Sequence, residues 1–84
     1  MEEPMNKIEW PEFAARVAEF TGTDAKDITI QTSVFNDLGI DSLGLFSLGL
    51  FLIKSFGTRI PINAVASIQT VGDIFNLMNK YRNG

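Results

Sequence analysis

The chain contains no cysteine and no histidine. Without cysteine there is no disulfide and no thiolate metal site. Without histidine, the commonest general base and the commonest transition-metal ligand are both missing. A Ser-His-Asp triad cannot be assembled from such a chain. Basic residues are few: seven Lys and Arg stand against ten Asp and Glu, a formal net charge of -3, and no basic cluster relieves that balance. This argues against a nucleic-acid partner. Long apolar runs are also absent. The longest uncharged one, Ser42 to Ile53, falls short of the about 20 residues that a membrane-spanning helix needs. The acidic start Met1-Glu2-Glu3-Pro4 lacks the basic and apolar regions of a secretory leader. A cytoplasmic protein with no membrane span is the expectation. There is no phosphate-binding glycine loop and no metal-ligand spacing, so an enzyme has little support.

What is present suits one small domain. The 84 residues suffice for one core. With 45% hydrophobic and 20% charged residues, the composition is that of a folded chain rather than a disordered one. Residues 1–9 and 82–84 read as loose termini. Pro11 suits the first position of a helix, and Glu12 favours the same end electrostatically. Phe13, Val17 and Phe20, with Ala14 and Ala18, recur at helical spacing up to a stop at Gly22. A long connection follows over 23–39. Its length asks for function or for pinning by its own side chains. Phe35 and Leu38 are expected to plug into the core, with a helical turn near Asn36. Ile28 and Ile30 alternate as in a strand, but no second strand signal exists to pair with them.

A second helix is expected from about Ser42 to Ser55, ended by Phe56-Gly57. Arg59-Ile60-Pro61 reads as extended, since a residue before proline avoids helical angles. A short third helix fits Asn63 to Ala66. Thr70-Val71-Gly72-Asp73 matches a capping box, with Asp73 in place of the usual Glu. The last helix then carries Val71, Ile74, Phe75, Leu77, Met78 and Tyr81. The fold class is all-α: a small bundle of three main helices plus one short helix.

Asp41-Ser42-Leu43 admits two readings. Asp and Ser are preferred helix caps, and Leu43 then simply begins an apolar helix. Alternatively, a serine at a helix start lies near unpaired backbone N–H groups and the positive end of the dipole. That place suits a covalently attached phosphate. Ser42 has no base in the chain to activate it, so it reads as a substrate serine modified by another enzyme.

The stretch "DLGIDSL", Asp37 to Leu43, resembles the phosphopantetheine attachment motif of acyl carrier proteins. The resemblance extends from about Pro11 to Tyr81. It takes in the first helix ending near Gly22, the long loop to Ser42, the "FG" at Phe56-Gly57, the "IP" at Ile60-Pro61 and the "TVGDI" from Thr70. It implies that Ser42 receives the 4'-phosphopantetheine arm of coenzyme A from a separate phosphopantetheinyl transferase that uses magnesium. The arm's thiol would be the only thiol in the protein. Acyl groups would travel on it as thioesters, to partners such as a ketosynthase or an acyltransferase. Asp41 resembles the acid that meets the transferase in such carriers, and it also suits a helix cap. The carrier itself performs no bond chemistry. The chain fits a discrete carrier of polyketide, fatty acid or specialised lipid synthesis, and a monomer. A peptidyl or aminoacyl carrier is the nearest rival. Those more often show a glycine pair before the serine, where this chain has Leu38-Gly39-Ile40. A helical adaptor that binds through the second helix is the alternative from another class.

The second helix departs from the family. Many such carriers have acids along it, whereas here the charges from Ser42 to Ile60 are Lys54 and Arg59, both positive. At about 100° per residue, Leu45, Leu48, Leu52 and Phe56 share an inner side with Gly49. Leu43, Phe46, Leu50 and Ile53 share the opposite side, bordered by Ser47 and Lys54. These four, with Ile60 beyond the helix, form the candidate partner-binding set. The alternatives for that face are cover by the long loop or the third helix, through Ile60, Val65 and Ile68, or self-association. The missing acids point to a specialised pathway. From Glu12 to Asp41 there are six acids and two bases, so partners steered by charge would approach the side of Asp37 and Asp41.

Overall fold

The computed structural model describes residues 7–82. Helix α1 spans Trp10–Thr21, and a 3₁₀ turn covers Ala25–Asp27. Helix α2 spans Ser42–Phe56, α3 Ile62–Val65 and α4 Val71–Arg82. The fold is all-helical, as the apolar spacing requires. The stops fall at the glycines. Gly22 and Gly57 end α1 and α2 with φ of 75° and 65°, left-handed angles that cost glycine nothing. Each donates its N–H back to the helix it ends, to Ala18 and Ile53 respectively.

The core is formed by one stripe from each long helix. Phe13, Ala14, Val17 and Ala18 come from α1, Leu45, Leu48 and Leu52 from α2, and Val71, Ile74 and Met78 from α4. Ile28, Val34, Ile60, Val65 and Ile68 close it from the connections. Trp10, Phe13, Phe56 and Phe75 form a ring cluster that ties α1 to α2 and α4. The Trp10 and Phe75 rings meet edge to face at 5.1 Å between centroids.

Four expectations are corrected. Phe35 does not plug into the core; Val34 does, and Leu38 is half-buried. The cause is the turn itself. Asp37 and Leu38 both donate to the Ser33 carbonyl, so the chain coils here and directs Val34 inward and Phe35 outward. Phe20 and Tyr81 lie at the rim rather than inside, with Phe20 against the Phe51 ring. Ile8 is buried rather than part of a loose arm. Its N–H donates to Asn79 Oδ1 at 2.8 Å, and its carbonyl accepts from Asn79 Nδ2. Arg82 is anchored rather than loose, donating to the Phe56 carbonyl and to Thr58 Oγ1. The remainder of those two termini, residues 1–6 and 83–84, lies outside the described residues.

The long connection is pinned to the start of α4. Val34 donates to the Gln69 carbonyl, while Val71 and Gly72 donate to the carbonyls of Thr32 and Ile30. This produces a single antiparallel bridge, Ser33 to Thr70, and no sheet among the described residues. Ile28 points in and Ile30 out, which two residues of one strand face would not do. The capping box of α4 forms in both directions. Asp73 N–H donates to Thr70 Oγ1, and Thr70 N–H donates to the Asp73 carboxylate.

Candidate functional site

Ser42 is the first residue of α2 and is exposed. The chain reaches it through a tightly held loop. Ser33 N–H donates to the Asp37 carboxylate at 2.7 Å, and Asn36 N–H donates to Ser33 Oγ. Gly39 then takes a left-handed φ of 68° and turns the chain. Ile40 N–H returns to the Val34 carbonyl. Asp37 is therefore a structural acceptor in this loop as well as a surface charge.

Asp41 is the cap of α2. Its Oδ1 accepts from Gly44 N–H at 2.7 Å, and its carbonyl accepts from Leu45 N–H at 2.8 Å. Gly44 is part of that arrangement. A Cβ at residue 44 would lie 2.7 Å from Ile40 Cγ2 and 3.2 Å from Asp41 Oδ1. The absent side chain lets Ile40 and the capping carboxylate close over the first turn. This role was not visible in the sequence, where Gly44 is only one small residue in an apolar helix.

The first-turn N–H groups of Ser42 and Leu43 have no acceptor within the helix. They stand beside an exposed hydroxyl at the positive end of the α2 dipole. A phosphodiester on Ser42 Oγ fits this place: solvent is open on one side and N–H donors lie on the other. A built-in nucleophile fits less well, because the chain has no histidine and the neighbouring Asp41 carboxylate is engaged by Gly44 N–H.

A family model described as the phosphopantetheine attachment site matches residues 12–78. The chain belongs to the phosphopantetheine-binding carrier family. The match spans α1 through most of α4, which is the whole scaffold around Ser42. The protein is thus a phosphopantetheine-bearing carrier domain and not a catalyst. Such carriers are modified by phosphopantetheinyl transferases and serve synthase enzymes. Among the described residues no helix is long and apolar enough to cross a membrane.

The carrier has a second feature beside α2. An apolar groove of about 240 Å³ lies between α2 and the segment that contains α3. Phe46, Leu50 and Ile53 line it from α2, and Ile60, Ile62 and Val65 from the other side. The expected partner-binding set therefore separates. Leu43 and Leu50 are largely exposed and Phe46 partly so, whereas Ile53 is half-buried and Ile60 is buried in the groove wall. Cover of the outer face is partial: Ile60 and Val65 lie against the groove, and Ile68 is in the core. Ile62 was missed from the sequence, because a helix of four residues has too little periodicity to reveal which side faces the groove.

Proposed function

We propose that Ser42 carries the phosphopantetheine arm and that the cargo is a short acyl group rather than an aminoacyl or peptidyl group. The arm supplies a thiol on which the cargo is held as a thioester. Ser42 provides the hydroxyl, and the open first turn of α2 provides N–H donors for the phosphate. Asp41 holds that turn in place and offers its charge to the transferase. Leu43, Phe46, Leu50 and Ile53, with Ile60 behind them, form the side that partner enzymes meet. The missing acids along α2 favour a specialised pathway over housekeeping fatty acid synthesis.

The groove is the observation that carries the acyl reading. Its six named walls are all hydrocarbon or aromatic. An ammonium placed there without a partner would cost several kcal/mol, while an alkyl chain gains about 0.8 kcal/mol per buried CH₂. The volume of about 240 Å³ is below the ~300 Å³ at which pockets for drug-sized ligands begin, which suits a short chain.

Two steps test this. The protein is incubated with coenzyme A, magnesium and a broad-specificity phosphopantetheinyl transferase, and its intact mass is measured. The pantetheinyl adduct should appear on the wild type and be absent from Ser42→Ala. The arm is then charged with a hexanoyl or an aminoacyl group, and methyl NMR shifts are followed at Ile53, Ile60 and Val65. The hexanoyl form should move them and the aminoacyl form should not. The opposite pattern would reverse the assignment of cargo.

A further inference from the structure

Helix α2 carries two glycines, Gly44 and Gly49. Glycine inside a helix weakens it relative to alanine, because more backbone freedom is lost on folding. At Gly44 the loss is offset, since a Cβ there would collide with Ile40. Gly49 has no such neighbour. A Cβ at residue 49 would meet nothing within 4 Å, and its backbone is ordinary right-handed helix. Every other described glycine either takes a left-handed angle or stands against a close neighbour. Nothing within the fold therefore requires glycine at residue 49.

Gly49 is buried, yet the place of its missing side chain is empty. The two observations agree because Gly49 is part of the wall of the apolar groove. Phe46 and Ile53 stand one turn to either side of it in the same wall. The room that Gly49 leaves is thus part of the groove, between apolar side chains. A straight alkyl chain has one cross-section along its whole length and asks for no widening at a single point. A branch does. We infer that Gly49 is the cargo-selecting residue of the groove, and that the cargo it favours is a methyl-branched acyl group. The inference rests on the short-acyl reading above and narrows it from alkyl chains in general to branched ones.

The effect of a side chain at this position follows from the same geometry. Gly49→Ala puts a methyl where nothing stands, so the fold accepts it and the helix gains propensity. The variant should unfold at a higher urea concentration than the wild type. The same methyl fills the room meant for the branch. Stability and enclosure of the cargo should therefore move in opposite directions, which a merely structural glycine would not produce. In Gly49→Leu a longer side chain extends into the groove and competes with any cargo.

The test uses the holo-protein charged with hexanoyl, 3-methylpentanoyl or 4-methylpentanoyl groups, which are isomers of equal carbon number. Cleavage of each thioester by hydroxylamine is timed by intact mass and divided by the rate for the same acyl group on free pantetheine. Cargo seated in the groove draws its thioester away from solvent and slows cleavage. In the wild type, at least one branched group should be cleaved about two- to fourfold more slowly than hexanoyl, the effect expected from one well-packed methyl. In Gly49→Ala that advantage should vanish, and in Gly49→Leu all three groups should be cleaved at the free rate. Circular dichroism confirms folding, and Gly49→Ala decides alone if Gly49→Leu does not fold. A branched advantage that survives in Gly49→Ala overturns this inference alone. So does a wild type that protects hexanoyl at least as well as both branched groups. A wild type that protects none of the three overturns the short-acyl reading and this inference with it.

Discussion

Gly72 is where one hydrogen atom in place of a methyl group decides most. A Cβ there would lie 2.6 Å from the Ile30 carbonyl oxygen, a backbone atom that cannot swing away. The same close approach carries the Gly72 N–H bond to that carbonyl, one of the bonds that pin the long loop to α4. Gly72→Ala should lower the unfolding free energy by about 1–3 kcal/mol, the usual cost of overpacking. Urea titration would show this as a lower midpoint at unchanged slope. Next to it, Asp73 couples the same junction to pH. The N–H groups of Thr70, first, and of Gln69 hold its carboxyl below the ordinary 3.8, against a smaller upward push from burial. A carboxyl whose pKa is depressed by folding stabilises the protein above its unfolded pKa. That contribution is lost as the pH falls through the lower folded value. Wild type should therefore be more stable than Asp73→Asn at pH 7, and the gap should close as the pH falls below the ordinary carboxylate value of 3.8 and through the lower folded one. Thermal unfolding across that range measures it.

At the scale of elements, the start of α2 has two jobs that one substitution pair can separate. Asp41 caps the helix through Gly44 N–H, and it carries a charge beside Ser42. Asn caps a helix about as well as Asp, and Ala does not. Asp41→Ala should cost about 1 kcal/mol of stability, while Asp41→Asn should cost little. If the transferase reads the charge, arm attachment slows in both variants. Should Asp41→Asn load at the wild-type rate, the residue acts only as a cap. Initial rates by intact mass, alongside urea midpoints, distinguish these outcomes. The body of α2 divides in the same way. Leu48 is fully buried and Leu50 is exposed. Leu48→Ala should cost about 2–5 kcal/mol, and Leu50→Ala should stay within about 0.5 kcal/mol while weakening acyl transfer.

For the whole molecule, the two ends of the described chain close the bundle. Ile8 clasps Asn79 through both of its backbone groups, and Arg82 reaches the exit of α2 at Phe56 and the buried Thr58. These contacts join residues far apart in sequence and hold α4 against the rest of the fold. Arg82→Ala leaves the buried Thr58 hydroxyl and the Phe56 carbonyl without that donor, at a cost of about 1–3 kcal/mol. Trp10, set against Phe13 and Phe75, reports the loss: its emission should shift at a lower denaturant concentration than in the wild type. Ser42 lies at the opposite end of α2 from the Phe56 carbonyl that Arg82 reaches, so arm attachment should continue wherever the variant is folded.

The amino-acid sequence by itself determined what depends on near neighbours. Glycine stops at Gly22 and Gly57, the Thr70–Asp73 box, the Asp41 cap and the two-sided pattern of α2 all involve groups within a few residues of one another. Backbone geometry and side-chain chemistry are enough to read them. The place of Ser42 at a helix start was legible for the same reason, whereas its reading as an attachment site came from the family resemblance along Pro11 to Tyr81. Tertiary structure decided the rest. It chose Val34 over Phe35 for the core, buried Ile8, gave Gly72 its necessity through Ile30, and turned Ile60 and Ile62 into walls of a groove with Phe46 and Leu50. In each case the partner lies far along the chain or across a short irregular segment. Only close packing between elements can say which apolar side chain is enclosed and which is left to meet another protein.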